Sequence, residues 1–136
     1  MENINQAIAL LNLHMSAALD LQEQANEAKS HTQLPLFDEI ASEAEEWQGI
    51  FVQRVIDLLD LGVPEEDMPQ VVDSESSYLD PYPRDLPGTE AHRQAMRKAL
   101  STFAVKIREA IVLTSPHTAD VLTQVSRAAD QALRNI

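Results

Sequence analysis

The chain has 136 residues, no cysteine, and a net charge of −12 from ten lysine and arginine residues against 22 aspartate and glutamate residues. This length suffices for one domain with its own hydrophobic core, so we expect a single domain spanning residues 1–136. The composition excludes disulfides and thiolate metal sites, and no apolar run is long enough to cross a bilayer. We therefore expect a cytoplasmic protein that has no membrane partner.

Two amphipathic helices are predicted in the first half of the chain, because apolar residues recur there every three or four positions. The first runs from about Asn5 to about Ser30, and the second begins near Pro35 and ends before Gly62 and Pro64. Their predicted buried positions are Ile8, Leu11, Met15, Ala18, Leu21, Ala25 and Ala28 in the first helix and Leu36, Ile40, Ala44, Trp47, Phe51, Val55 and Leu58 in the second.

A long proline-containing segment follows, from residue 64 to residue 88, and proline at this density prevents a continuous helix. Val71 and Val72 predict at most a short helix inside it. Short turns suffice in an up-down-up-down bundle, whereas a connection of this length allows the second and third helices to run parallel, as in ferritin-like folds. We therefore predict an all-α fold, a ferritin-like four-helix bundle with a long crossover between helices 2 and 3.

Two further helices are predicted after the crossover. Thr89 is a suitable N-cap for the third helix, and Ser115 followed by Pro116 supplies an N-cap and a first-turn proline for the fourth. The predicted core positions are Ala95, Ala99, Phe103, Ile107 and either Ala110 or Ile111 in the third helix, and Val121, Leu122, Val125, Ala129 and Leu133 in the fourth.

Five segments in the same order resemble the Dps family of ferritin-like mini-cages. They are residues 11–22 in the first helix, residues 36–55 in the second, residues 79–85 before the third, residues 108–111 at its end, and residues 117–127 in the fourth. The last of these, HTADVLTQVSR, is similar to the family's TAD-L-x-TE-x-SR pattern. The resemblance implies the ferritin-like fold, iron as the metal, ferroxidase chemistry, and a homo-oligomer that is a dimer or a larger cage.

The departures from the family pattern fall on its metal ligands. Gly49 and Gln53 stand where the family has Asp and Glu, Lys29 replaces a histidine of the first helix, and Leu34 replaces a second histidine. Of the ligand set that the family shares between two subunits, only Asp38 remains. Hard cations such as ferrous iron require anionic oxygen ligands. The resemblance therefore implies impaired or absent ferroxidase activity.

Asp38, His31 and Glu39 are the candidate metal ligands that remain near this position. His31 lies two residues beyond the family's histidine position, so its use requires a register shift of about half a turn. The alternative for Asp38 is a structural one, because a carboxylate in the first turn of a helix is stabilised by the helix macrodipole.

Carboxylates are also spaced along the second helix in a way that could attract iron. Glu39, Glu43 and Glu46 recur at helical spacing on one side, and the resemblance places such a row on the inner wall of a cage. Asp120 stands where the family has pore-lining carboxylates. The alternative for the three glutamates is a solvated helix face. The alternative for Asp120 is a place in the first turn of the fourth helix, where the macrodipole stabilises a carboxylate.

Two functional hypotheses of different class follow. The first is a Dps-like protein of iron handling or oxidative-stress protection, with the possibility of co-assembly with a paralogue that has complete sites. The second is a non-catalytic interaction or scaffold bundle. Direct DNA binding is not expected, because the acidic chain repels phosphates and the basic residues Arg93, Arg97 and Lys98 are too few to offset its charge.

Overall fold

A computed structural model describes residues 4–60 and 77–136, and the elements within these ranges are four α-helices. Helix α1 spans Ile4–His31, α2 spans Pro35–Leu59, α3 spans Thr89–Ile111 and α4 spans Pro116–Asn135. The short helix predicted at Val71 and Val72 lies outside the described residues. None of the four helices is long and apolar enough to span a bilayer.

The helices form a bundle in which every neighbouring pair is antiparallel. Helix α1 packs on α2 and α3, and α4 packs on α3 and α2. His31 at the end of α1 stacks on His92 near the start of α3, so α1 and α3 run in opposite directions. Since α2 also begins where α1 ends, α2 and α3 run parallel across the diagonal of the bundle. This is the topology that the long crossover predicts, so the all-α, ferritin-like four-helix prediction is confirmed.

The centre of the core lies between the two parallel helices, where the Trp47 and Phe103 rings stack with centroids 5.3 Å apart. All seven predicted core positions of α1 are buried, as are six of the seven in α2. Four predicted core residues are only partly buried: Leu36, Ala95, Val121 and Leu133. At each of these four positions a neighbour in the chain is buried instead: Phe37, Met96, Leu122 and Ala132.

The helix starts agree with the predictions at two positions and differ at one. Pro35 and Pro116 lie in the first turns of α2 and α4. Thr89 is the first residue of α3 and not its N-cap, because the Gly88 carbonyl accepts the first helical hydrogen bond, from the His92 amide. Gly88 has φ +103°, a conformation that strains any residue with a Cβ.

Candidate functional site

Asp38, the one metal ligand that the resemblance leaves in place, is already paired with an ammonium group. Asp38, in the first turn of α2, faces the last turn of α1, where Lys29 Nζ lies 2.7 Å from Asp38 Oδ1. The two side chains are 61% and 52% exposed. An exposed ion pair of this kind contributes about 0–1 kcal/mol to folding. Its chemical consequence is larger, since the Lys29 charge repels a metal cation from the same carboxylate.

His31 does not join Asp38. Its Nε2 lies 2.9 Å from Glu27 Oε1, one turn earlier in α1, and its ring stacks on His92 of α3. Within residues 4–60 and 77–136, no group of three or more His, Asp or Glu side chains has a spacing that could hold a metal ion. The ligand set implied by the resemblance spans two subunits, so the metal prediction at Asp38, His31 and Glu39 stays a prediction.

The acidic row of α2 is present as a set of interacting carboxylates. Glu39 and Glu46 are exposed, and Glu43 between them is partly buried. Burial, and then repulsion from Glu46 and Glu39, raises the pKa of Glu43. Its Oε2 atom is buried and has no hydrogen-bond partner in the part of the chain that the structure describes. Asp120 is exposed and is the fifth residue of α4, beyond the first turn, where the macrodipole is weaker.

A cleft that the sequence did not indicate opens between α1 and α3. Its volume is about 600 Å³, and its lining residues are Glu27, His31, Tyr82, Pro83, Arg84, Asp85, Leu86 and His92. Burial, and then the Glu27 charge, raises the pKa of Tyr82 to about 12. Burial and His31 lower the pKa of His92, which Glu27 partly opposes. Asp85 has a left-handed backbone with φ 58°, a conformation that aspartate tolerates better than most residues.

A histidine–tyrosine pair lies near the middle of α1, where His14 is buried and Tyr78 is partly buried. Tyr78 O–H lies 2.9 Å from His14 Nδ1, and the Lys106 ammonium lies 5.9 Å from the centre of the Tyr78 ring. Burial, and then the Lys106 charge, lowers the pKa of His14 to about 4. Burial, and then the Glu109 charge, raises the pKa of Tyr78. A neutral histidine buried in this way is a structural contact and not a proton donor near neutral pH.

The outer face of α2 is uncharged between Glu46 and Asp57, and Gln53 Nε2 donates to the exposed Asp57 Oδ1 at 3.0 Å. Gly49, Val52, Gln53 and Ile56 are exposed at helical spacing, with Val52 42% and Ile56 45% exposed. A Cβ placed on Gly49 meets no atom within 4 Å, so no helix of the same chain approaches it closely. Phe51 is fully buried in the core and is not part of this face.

Two basic residues of α3, Arg93 and Lys98, lie near polar or acidic groups, whereas Arg97 is exposed. Arg93 Nε donates to the Ile136 carbonyl oxygen at 2.7 Å, and an Arg93 nitrogen lies 3.8 Å from Glu90. Lys98 Nζ lies 3.9 Å from Asp80. These pairings reduce the local positive charge and agree with the expected absence of DNA binding, which stays a prediction.

The structural class of the protein is an all-α four-helix bundle with α2 and α3 parallel. No family model matches the chain, and no curated protein matches it significantly. Functional assignment therefore depends on the side chains described above.

Proposed function

We propose that the protein is a Dps-like relative of the mini-ferritins that has lost the ferroxidase reaction and handles iron through the carboxylates of α2. The proposal depends above all on the 2.7 Å contact between Lys29 Nζ and Asp38 Oδ1, which puts a fixed positive charge beside the retained ligand. Ferroxidase chemistry requires several carboxylate and imidazole ligands and an open coordination position. A single carboxylate paired with lysine does not meet that requirement.

The acidic row supports a weaker form of iron handling. Burial, and then repulsion from Glu46 and Glu39, raises the pKa of Glu43, so a bound cation relieves the repulsion among the three carboxylates. Oxygen ligands on an exposed helix face bind hydrated cations without a closed coordination shell. We infer that this row concentrates ferrous iron and that no residue of the chain accelerates its oxidation.

An anaerobic ferrous titration followed by peroxide tests the proposal. We expect weak saturable binding and a ferric signal that forms at the rate seen in buffer. The double variant Glu43→Gln, Glu46→Gln should abolish the binding. The control, Glu23→Gln with Glu45→Gln, removes the same charge from exposed positions outside the row. An accelerated ferric signal, or equal loss of binding in the control, would contradict the proposal.

Restoring the ligands tests the family assignment itself. The combined variant Lys29→His, Leu34→His, Gly49→Asp and Gln53→Glu rebuilds the ligand set that the resemblance implies. We expect it to gain peroxide-dependent iron oxidation, whereas a variant with only the two histidines should not, because both carboxylates of the second subunit are then missing. If the variant with all four substitutions is folded and oligomeric but oxidises iron no faster than buffer, the result would argue against the Dps relationship.

The uncharged outer face of α2 favours a second candidate function, a non-catalytic bundle that self-associates. The resemblance places the twofold contact on α1 and α2, and burying a partly filled carboxylate site would be costly. Here the residues at the family's carboxylate positions are Gly49 and Gln53, which carry no charge, and Val52 and Ile56 add exposed apolar surface. We infer that this face forms a contact between two copies of the chain.

Sedimentation measurements at micromolar concentration test this contact. We expect a dimer or larger species that Ile56→Glu converts to monomer, while Val105→Glu, on an exposed position of α3, leaves it intact. Gly49→Ala separates folding from assembly. It should raise monomer stability by about 1 kcal/mol, because alanine favours a helix over glycine, and weaken association if helices approach closely there. A purely monomeric wild-type chain would exclude this function.

A further inference from the structure

The cleft between α1 and α3 brings together two histidines that are far apart in the sequence. His31 is the last residue of α1, and His92 is the fourth residue of α3. Their ring centroids are 5.3 Å apart, and the ring planes differ by 16°. His31 is exposed, and the open volume of the cleft lies beside both rings.

Each imidazole is held through one nitrogen and leaves the other unengaged. His31 Nε2 lies 2.9 Å from Glu27 Oε1, and His92 Nδ1 lies 2.6 Å from the Tyr82 hydroxyl oxygen. His31 Nδ1 and His92 Nε2 make no hydrogen bond with any residue in 4–60 or 77–136. Metal-binding histidines commonly have this arrangement, in which a carboxylate or another polar partner orients the ring through the second nitrogen.

The hydrogen bonds also place lone pairs on the unengaged nitrogens. A carboxylate only accepts, so His31 Nε2 carries the proton and donates to Glu27, leaving a lone pair on Nδ1. The Tyr82 hydroxyl can accept from His92 Nδ1–H, because its own hydrogen can point to the His92 carbonyl oxygen 3.5 Å away. His92 Nε2 then has a lone pair as well.

The charges around the cleft favour a cation. Glu27 and Asp85 contribute two carboxylates to its lining, Arg84 contributes one opposing charge, and the chain as a whole carries −12. Imidazole nitrogens prefer Zn²⁺, Cu²⁺ or Ni²⁺ to Mg²⁺ or Ca²⁺, which require oxygen ligands. A nitrogen–metal bond is about 2 Å long, so the two nitrogens must come within about 4 Å. The lone pairs lie in the ring planes, which are nearly parallel in the stack. The exposed His31 ring must therefore turn out of the stack and give up its Glu27 contact to bring its nitrogen to the metal.

We propose that this cleft binds one divalent transition metal of the zinc class through His31 Nδ1 and His92 Nε2, with water in the remaining coordination positions. Tyr82 is a positioning residue that holds the His92 ring, and Glu27 contributes negative charge to the cleft. With two protein ligands the site is weaker than a four-ligand structural zinc site. Bound metal joins the end of α1 to the start of α3, and it stabilises the fold because the unfolded chain lacks the site. The inference does not depend on the proposed iron function, which involves other residues.

Calorimetric titration of the tag-free chain with Zn²⁺ is the test, with Mg²⁺ as the control ion. We expect one Zn²⁺ per chain, no Mg²⁺ at this site, and a melting temperature that rises with Zn²⁺. His31→Gln and His92→Gln should each lower the affinity at least tenfold. Tyr82→Phe should lower it about tenfold, since loss of a supporting partner typically costs 10–100-fold. His117→Gln, an exposed histidine on α4, should leave it unchanged.

Circular dichroism checks that each variant is folded. If His92→Gln unfolds, the result for His31→Gln still decides the test, because His31 is exposed and its substitution should not disturb folding. Undiminished Zn²⁺ affinity in His31→Gln overturns the proposal, as does an equal loss in His117→Gln. If His31→Gln loses Zn²⁺ affinity while folded His92→Gln keeps all of it, the metal is bound by Glu27 and His31 alone. That result would also overturn the proposed site between α1 and α3. None of these readouts involves Glu43 or Glu46, so the iron proposal can fail separately.

Discussion

Helix α1 contacts its two neighbours through polar groups that differ in burial. On the side toward α2, Lys29 and Asp38 form an exposed ion pair. On the side toward α3, the buried His14 hydrogen-bonds Tyr78, which lies in the segment before that helix. An exposed ion pair contributes about 0–1 kcal/mol, whereas a buried polar group that loses its partner costs about 1–3 kcal/mol. The side toward α3 therefore matters more for stability, although the family resemblance places the chemistry on the side toward α2.

Acidification should weaken the side toward α3 most. Burial lowers the pKa of His14 from 6.5 to about 4, so the folded state takes up this proton less readily than the unfolded state. Its contribution to stability is complete above pH 6.5 and is lost as the pH falls toward 4. At about 1.4 kcal/mol per pKa unit, the expected loss is about 3 kcal/mol.

Urea unfolding of the wild type and His14→Gln at pH 7.5 and pH 4 measures this effect. The difference between the two proteins removes the contribution of the many carboxylates, which is common to both. We expect the wild type to lose more stability than His14→Gln, and His117→Gln to behave as the wild type. Equal losses in the wild type and His14→Gln would show that His14 is not the group responsible.

The two histidine–tyrosine pairs allow a matched comparison on the α3 side. Tyr78→Phe should lower the free energy of unfolding by about 1–3 kcal/mol. The buried His14 Nε2 already has no hydrogen-bond partner among the described residues, and Nδ1 then loses its partner too. Tyr82→Phe should cost less than about 1 kcal/mol, because water in the cleft can replace the hydroxyl. Chemical denaturation at neutral pH gives both values. Equal costs for the two changes would mean that burial does not distinguish the pairs.

The smallest effect is expected on the side toward α2. A double-mutant cycle of Lys29→Ala and Asp38→Asn should give a coupling energy below about 1 kcal/mol, because both side chains are half exposed and screened by water. The coupling should fall further in high salt. A coupling energy above about 2 kcal/mol would mean that this ion pair contributes as much to stability as the His14–Tyr78 pair. The two sides of α1 would then not differ in their contribution to stability.

The helices and most of the core could be predicted from the sequence because both depend on local periodicity. The seven buried positions of α1 follow the spacing of an amphipathic helix, and Pro35 and Pro116 mark helix starts through the fixed φ of proline. Leu36 and Val121 were predicted as buried and are only partly so. Periodicity defines the apolar side of a helix but not the exact direction in which the neighbouring helices pack against it.

The cleft could not be predicted, because its side chains meet only after α1 and α3 pack together. The sequence indicates His31 as a candidate metal ligand near Asp38 and assigns His92 no partner. Tyr82, which hydrogen-bonds His92, lies in a proline-containing segment with no periodic pattern. The Lys29–Asp38 contact could be anticipated in part, since the short turn between α1 and α2 brings their ends together.

The parallel arrangement of α2 and α3 has a consequence for how the chain folds. The α1–α2 and α3–α4 turns occupy residues 32–34 and 112–115, so each helical hairpin closes a short loop, whereas contacts between hairpins close a long one. We expect the hairpins to form early and their docking, with Trp47 stacking on Phe103, to limit the folding rate. A conservative substitution at Phe103 should then lower the folding rate, and a change confined to the unfolding rate would show that docking follows the barrier.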